Sequence, residues 1–190
     1  SGRSGYAVLD ERAAKLLPGS DNLFFNPHLG GRICPVQTNF KGAWVGFTWT
    51  HRREPFYRAV LDSIAYDPAL AFRRMRDIYP EVTSNEILVY GGGARSALWN
   101  RIKADVMGAP YIALEREDLA ALGDAIIAGC ALGIYDDMAA TAEQLGRRGR
   151  RFEPSKENHR RYETCTAYYA DMLRRLTPAY DALAALEDGG

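Results

Sequence analysis

Three consecutive glycines, Gly91-Gly92-Gly93, followed by Ala94-Arg95-Ser96, are the residues of this chain best suited to hold a ligand. They follow a short apolar run, Ile87-Leu88-Val89-Tyr90, which reads as a buried strand. They precede a segment whose apolar residues, Leu98, Trp99, Ile102, Val106 and Met107, fall at helical spacing. Glycine permits positive φ and leaves bare main chain for a ligand to touch. The helix that follows presents unpaired N–H groups and the positive end of its dipole, both suited to phosphate. Two familiar phosphate loops do not fit. One needs a lysine that is absent, and the dinucleotide loop needs a third glycine where this chain has Ser96. A tight strand-to-helix turn without a ligand would use the same residues, so the local pattern leaves both readings open.

Other chemistry-bearing residues are more scattered. The loop His28-Leu29-Gly30-Gly31-Arg32 offers a histidine and an arginine, either as ligand contacts or as ion-paired loop residues. The three histidines, His28, His51 and His159, lack metal-ligand spacing, so no metal site is assigned. The acidic pairs Glu115/Glu117 and Asp136/Asp137 lie at element ends and read as surface charge or helix caps. Arg147-Arg148-Gly149-Arg150-Arg151 reads as a basic, solvated turn. Neither Cys130 nor Cys165 has a histidine near it in sequence, and no nucleophile-plus-base arrangement stands out.

These residues must be placed by the elements around them. A short helix is predicted from Asp10, as its N-cap, to Leu17, ended by Pro18-Gly19. Leu23 to Phe25 reads as a strand, 26–42 as a long loop, and Gly42 to Phe47 as an extended segment. From Glu54 a helix is expected, with Phe56, Ala59, Val60, Ser63 and Ile64 as its apolar face. Pro68 is expected to kink or break it, with a second helix from Ala69 to Ile78. Ser96 to Met107 is a helix capped by Gly108, and Tyr111 to Leu114 a second strand, giving a strand–helix–strand unit with parallel strands. Leu119 to Ile134 is a helix whose small residues, Ala121, Ala125, Ala128, Gly129 and Gly133, invite close approach of another element. A last long helix spans Lys156 to Leu186, bending near Pro178.

At 190 residues, with 47% hydrophobic and 25% charged residues, the chain is a soluble globular domain, not a disordered or fibrous one. Twenty-four basic residues balance 24 acidic ones, which argues against nucleic-acid or anionic-membrane partners. Three scattered cysteines form no disulfide framework, and a reducing, cytoplasmic setting is expected. The most apolar stretch, Leu119 to Tyr135, is too short for a bilayer, and SGRSGYAVLDE has no hydrophobic signal core.

Three segments in order resemble the FGGY family of carbohydrate kinases. Asn26-Pro27-His28-Leu29-Gly30-Gly31-Arg32-Ile33-Cys34-Pro35 is similar to its PYLxGERxP loop. Gly42-Ala43-Trp44-Val45-Gly46-Phe47, with Pro55 to Asp62, resembles its second signature. Gly91 to Trp99, with Ala121-Leu122-Gly123-Asp124-Ala125, resembles its GGGAxSxLW…ALGxA pattern. The nearest flavour is xylulokinase-like. Arg32 follows Gly31 directly where the family has a glutamate, and Pro55 replaces a polar residue.

The resemblance implies an α/β fold of the ribonuclease-H/actin-like ATPase type, with a mixed sheet flanked by helices. The chain would be a single, partial C-terminal nucleotide-binding domain over residues 1–190, with 139–190 as a helical extension. ATP with Mg²⁺ would be the cofactor pair. Gly92 and Gly93 would line the nucleotide site, Ser96 would face the nucleotide from the helix start, and the 119–134 helix would pack beneath the pocket. The family's Asp-x-Gly-Thr loop, its general-base aspartate and its Gly-Thr-Ser turn have no counterpart here. No catalytic residue is therefore assigned to this chain, which is expected to be a fragment and inactive alone. The sugar, a pentulose such as xylulose, would be bound mainly by an N-terminal domain. Two alternatives stand beside this. One is an actin-like regulatory module; the other is a dinucleotide-binding oxidoreductase domain using Glu115 for the ribose. Trp44, Trp49 and the tyrosines of the last helix (Tyr162, Tyr168, Tyr169, Tyr180) are candidates for a homodimer contact or for internal packing.

Overall fold

Two long helices cross the centre of the computed structural model, which describes residues 4–83 and 85–188. The first three residues of the opening segment lie outside that range. Helix α1 runs Gly5–Ala13, α2 Arg53–Ile78, α3 Ala97–Met107, α4 Leu119–Ala131, α5 Met138–Gly146 and α6 Lys156–Asp188. Strands are β1 Phe24–Asn26, β2 Ala43–Val45, β3 Ile87–Val89, β4 Tyr111–Leu114 and β5 Arg148–Phe152.

The core lies where α2, α3 and α6 meet. In α6, Tyr162, Thr166, Tyr169, Leu173 and Tyr180 recur at three- and four-residue steps or their sum, and all are buried. That spacing keeps one stripe of the helix facing inward. Three of the four tyrosines of this helix are therefore core, while Tyr168 is exposed. On α2 the inward stripe is Arg58, Ala59, Asp62, Ala65, Tyr66 and Ala69. Of the expected face Ala59 and Ser63 are buried, whereas Val60 is half-buried and Ile64 is exposed.

The expected break at Pro68 does not occur. α2 continues through it as one helix. Pro68 sits on the exposed side, where the carbonyl that loses its partner, on Ile64, can bond water instead. The inward stripe meanwhile continues unbroken from Leu61 to Ala69. Pro178 is likewise contained within α6.

The larger sheet has the order β3-β4-β5. β3 and β4 are parallel, and β4 and β5 antiparallel, so the sheet is mixed. Ala104 and Met107 of α3 pack with Tyr111, Phe152, Ile87 and Val89 and cover one face. β3 is an edge strand and only half-buried, with Leu88 exposed, which corrects the expectation of a buried strand. The basic run is also not a turn. Arg148–Phe152 is a strand, so the 139–190 stretch contributes a sheet edge as well as helices. Arg148 and Arg151 pair with Glu86, which discharges two of its cations beside the sheet. A second, two-stranded sheet pairs β1 with β2 antiparallel.

α1 begins before Asp10. Ser4 caps it, its hydroxyl accepting from the amide of Ala7 at 3.2 Å. Asp10 is therefore an interior residue of α1, and the chain has already left the helix by Leu17. α4 neighbours α5 and exposes Ile127, Leu132 and Ile134 just beyond. Of its small residues Ala121, Ala125 and Ala128 are exposed, and at Gly129 the occupant is the ring of Tyr135, which folds back upon it. No helix is long and apolar enough to cross a membrane among the described residues.

Candidate functional site: the glycine turn at the head of α3

The glycine turn is built from three local features. Gly91 has φ 79° and ψ −171°, a conformation essentially restricted to glycine. Gly92 to Arg95 then form one 3-10 turn, closed by the amide of Ala94 donating to the Gly91 carbonyl at 3.0 Å. Ser96 caps α3, its Oγ accepting from the Trp99 amide at 3.0 Å. The first two amides of α3 keep no intrahelical acceptor.

The three glycines serve different ends. Gly92 is exposed, and a Cβ built there would meet nothing within 4 Å. Gly93 faces inward, and a Cβ there would lie 2.5 Å from Cζ3 of Trp99. Gly93 thus gives room to the indole, and Gly92 leaves the backbone open to solvent.

Side chains beneath the turn fix its position. Trp99 Nε1 donates to the Leu61 carbonyl on α2 at 3.2 Å. Lys103 Nζ lies 3.8 Å from the centre of the same indole, and burial lowers its pKa. Buried Asn100 donates from Nδ2 to the Ala94 carbonyl at 2.7 Å. On the open side Arg95 forms an ion pair with Glu117. Glu117, read from sequence as surface charge, thus anchors the outer rim of the turn.

Ser96 also reaches across the molecule. Its hydroxyl donates to Asp10 Oδ2 at 2.7 Å, and Asp10 Oδ1 accepts from Tyr57 OH at 2.6 Å. Burial, then the bond to Asp10, raises the Tyr57 pKa well above the ordinary tyrosine range.

The other candidates are placed elsewhere. His28 Nε2 and Arg32 Nη2 each lie 2.9 Å from the carboxylate of Asp67 on α2. Burial is the main cause that lowers the His28 pKa, opposed by Asp67 and reinforced by Arg32. Arg32 is buried, so the loop is pinned to α2 and is not a free ligand arm. Asp137 caps α5, accepting from the Ala140 amide at 3.0 Å. Glu115 is exposed beside Gly149 and leaves β4 at the sheet end where the glycine turn leaves parallel β3. A hollow of about 870 Å³ lies between α1 and the start of α2, lined by residues such as Arg12, Arg52, Arg53 and Phe56 and by none of the glycine turn. Among the described residues no three His, Cys, Asp or Glu side chains form a metal-ligand group.

Asp10, Trp99 and Asn100 were missed as site-forming residues in the sequence. Only Trp99 and Asn100 carried a signal, since three to four residues after a helix cap is where side chains fold back on the turn.

Residues 3–132 match the model of the FGGY family of carbohydrate kinases, C-terminal domain. The chain is 31% identical over 164 residues to the xylulose kinase of Staphylococcus epidermidis, covering 86% of this chain and 33% of the relative. It is 27% identical over 185 residues to the gluconokinase of Bacillus subtilis, covering 97% of this chain and 36% of the relative. The chain thus spans about a third of the length of these relatives. In fold it is similar to the gluconate kinase from Lactobacillus acidophilus, with a TM-score of 0.82 at 22% identity, over 96% of this chain and 37% of that one. The architecture is accordingly the actin-like ATPase fold, in part.

Proposed function

Because this chain belongs to the FGGY family of carbohydrate kinases, within the C-terminal domain of that family, we propose that it supplies the nucleotide-binding half of an ATP-dependent sugar kinase. The observation that carries this reading is the bare, outward-facing backbone at Gly92, set at the head of a capped helix. ATP supplies the phosphoryl group that such a kinase moves to a sugar hydroxyl. Gly92 lets main chain approach the phosphates, and Gly93 seats the indole that supports the turn. Ser96 holds the start of α3 so that its free amides and dipole face the anion. Fixed donors of this kind need no rearrangement as charge develops on the transferring oxygens. Mg²⁺ would accompany the nucleotide and offset charge on its phosphates; among the described residues no three His, Cys, Asp or Glu side chains form a group that would hold it.

The proton of the sugar hydroxyl goes to a carboxylate outside this chain. Within it, buried Asp62 and Asp105 are filled with structural hydrogen bonds. The sugar, a pentulose such as xylulose, is bound mainly outside this chain as well.

Isothermal titration with ADP tests the reading. The parent chain should bind, and Gly92→Val should weaken binding by tenfold or more. A valine at 92 enters open space, so it obstructs a ligand without displacing protein atoms. At Gly93 it would strike Trp99, and a loss there would report packing instead. Equal affinity of parent and Gly92→Val would overturn the assignment. The same preparation, given ATP, Mg²⁺ and xylulose, should form no sugar phosphate; turnover would contradict the division of labour.

A further inference from the structure

We propose that Asp10 is a positioning residue for the nucleotide turn, holding the Ser96 hydroxyl as a cap for α3 and withdrawing its proton from the nucleotide. This rests on the nucleotide reading of the turn and deepens it. The geometry is a relay of four groups. Tyr57 OH donates to one oxygen of Asp10 at 2.6 Å, and Ser96 Oγ donates to the other at 2.7 Å. The same Ser96 oxygen accepts from the Trp99 amide at 3.0 Å. A hydroxyl has one proton to give. That of Ser96 is given to Asp10, so its oxygen is oriented toward α3 and cannot also donate to a phosphate.

Three elements are joined in this way: α1 through Asp10, α2 through Tyr57, and the head of α3 through Ser96. The link matters for the ligand because the turn has little else on that side. Trp99 and Asn100 support it from within α3, and Arg95–Glu117 ties only its exposed rim. Charge-assisted bonds to a carboxylate are shorter and stronger than neutral ones, so Asp10 is the firmest tether between the turn and α1. Other ties of α1 run to α2 and not to the turn: Arg12 pairs with Glu54, and the Ala13 carbonyl accepts from Arg58.

The test is ADP titration of the parent, Asp10→Ala, Ser96→Ala, the double variant and Tyr57→Phe, with thermal unfolding of each. Asp10→Ala should weaken ADP binding about tenfold. The double variant should bind no more weakly than the weaker single one, because both changes cut one link. Tyr57→Phe should lower the unfolding temperature yet bind ADP within about twofold, since the Asp10–Ser96 bond survives. Asp10→Asn keeps one accepting oxygen and should fall between parent and Asp10→Ala, which also covers the case of an alanine variant that does not fold. If the parent binds ADP and Asp10→Ala binds it equally well, or if the two single losses add, the positioning role is overturned while the nucleotide site stands. If the parent does not bind ADP, the nucleotide reading fails and this proposal falls with it.

Discussion

Asp62 shows how much a single buried carboxylate can organise. Its Oδ1 accepts from Arg58 Nε at 2.9 Å and from Tyr162 OH at 2.8 Å, and its Oδ2 from Ser20 Oγ at 2.9 Å. Arg58 in turn donates to the carbonyl of Ala13 at 3.0 Å and to Tyr162 at 2.6 Å. Removing one member of a buried pair strands the other charge, at a cost of about 3–5 kcal/mol. Asp62→Ala should therefore lose stability of that order in urea unfolding. A loss below about 1 kcal/mol would show that the guanidinium finds water or another acceptor. The pairing of such residues is not legible in the sequence. Asp62 and Tyr162 are 100 positions apart and Asp10 and Ser96 are 86 apart, so no local pattern links them. The glycine turn was legible because its signal is contained in six consecutive residues.

At the level of elements, most helices and strands follow from periodicity, and the exceptions have physical reasons. Pro68 is a helix breaker only where the lost hydrogen bond is buried or the packing stripe ends. Here neither holds, and α2 runs on for ten more residues. Proline in a helix interior is about 3 kcal/mol less favourable than alanine. Pro68→Ala should raise stability by about 1–3 kcal/mol, read as a higher midpoint of thermal unfolding; an unchanged or lower midpoint would mean that the helix is bent to fit its neighbours. β5 was obscured because Arg148, Arg150 and Arg151 mask the alternation that marks a strand. It forms as an edge strand, anchored by buried Phe152, and charged side chains on an edge discourage pairing with other chains. α1 was misjudged because Asp10 resembles a cap, whereas its carboxylate is turned toward Tyr57 and Ser96.

Across the whole molecule, the fold places the glycine turn at the junction of a small mixed sheet and a three-helix core. α3 belongs to both: it covers the sheet through Ala104 and Met107 and enters the core through Leu98, Ile102 and Val106. A turn mounted on such a helix is held on two sides and stays open on the third, which is what a phosphate-binding loop requires. The family signatures made this arrangement legible, since their order follows the chain from the 26–35 loop to the head of α4. They did not foretell that α4 would lie against α5 with its apolar side chains exposed beyond it. On this reading the nucleotide sits on the turn and not in the arginine-lined hollow between α1 and α2. Backbone amide resonances of the isotopically labelled chain, followed by NMR during addition of ADP, test it most directly. The largest shifts should fall at Gly92, Gly93 and the first amides of α3. Shifts confined to Arg12, Arg52 and Arg53, with the glycines unmoved, would contradict the account.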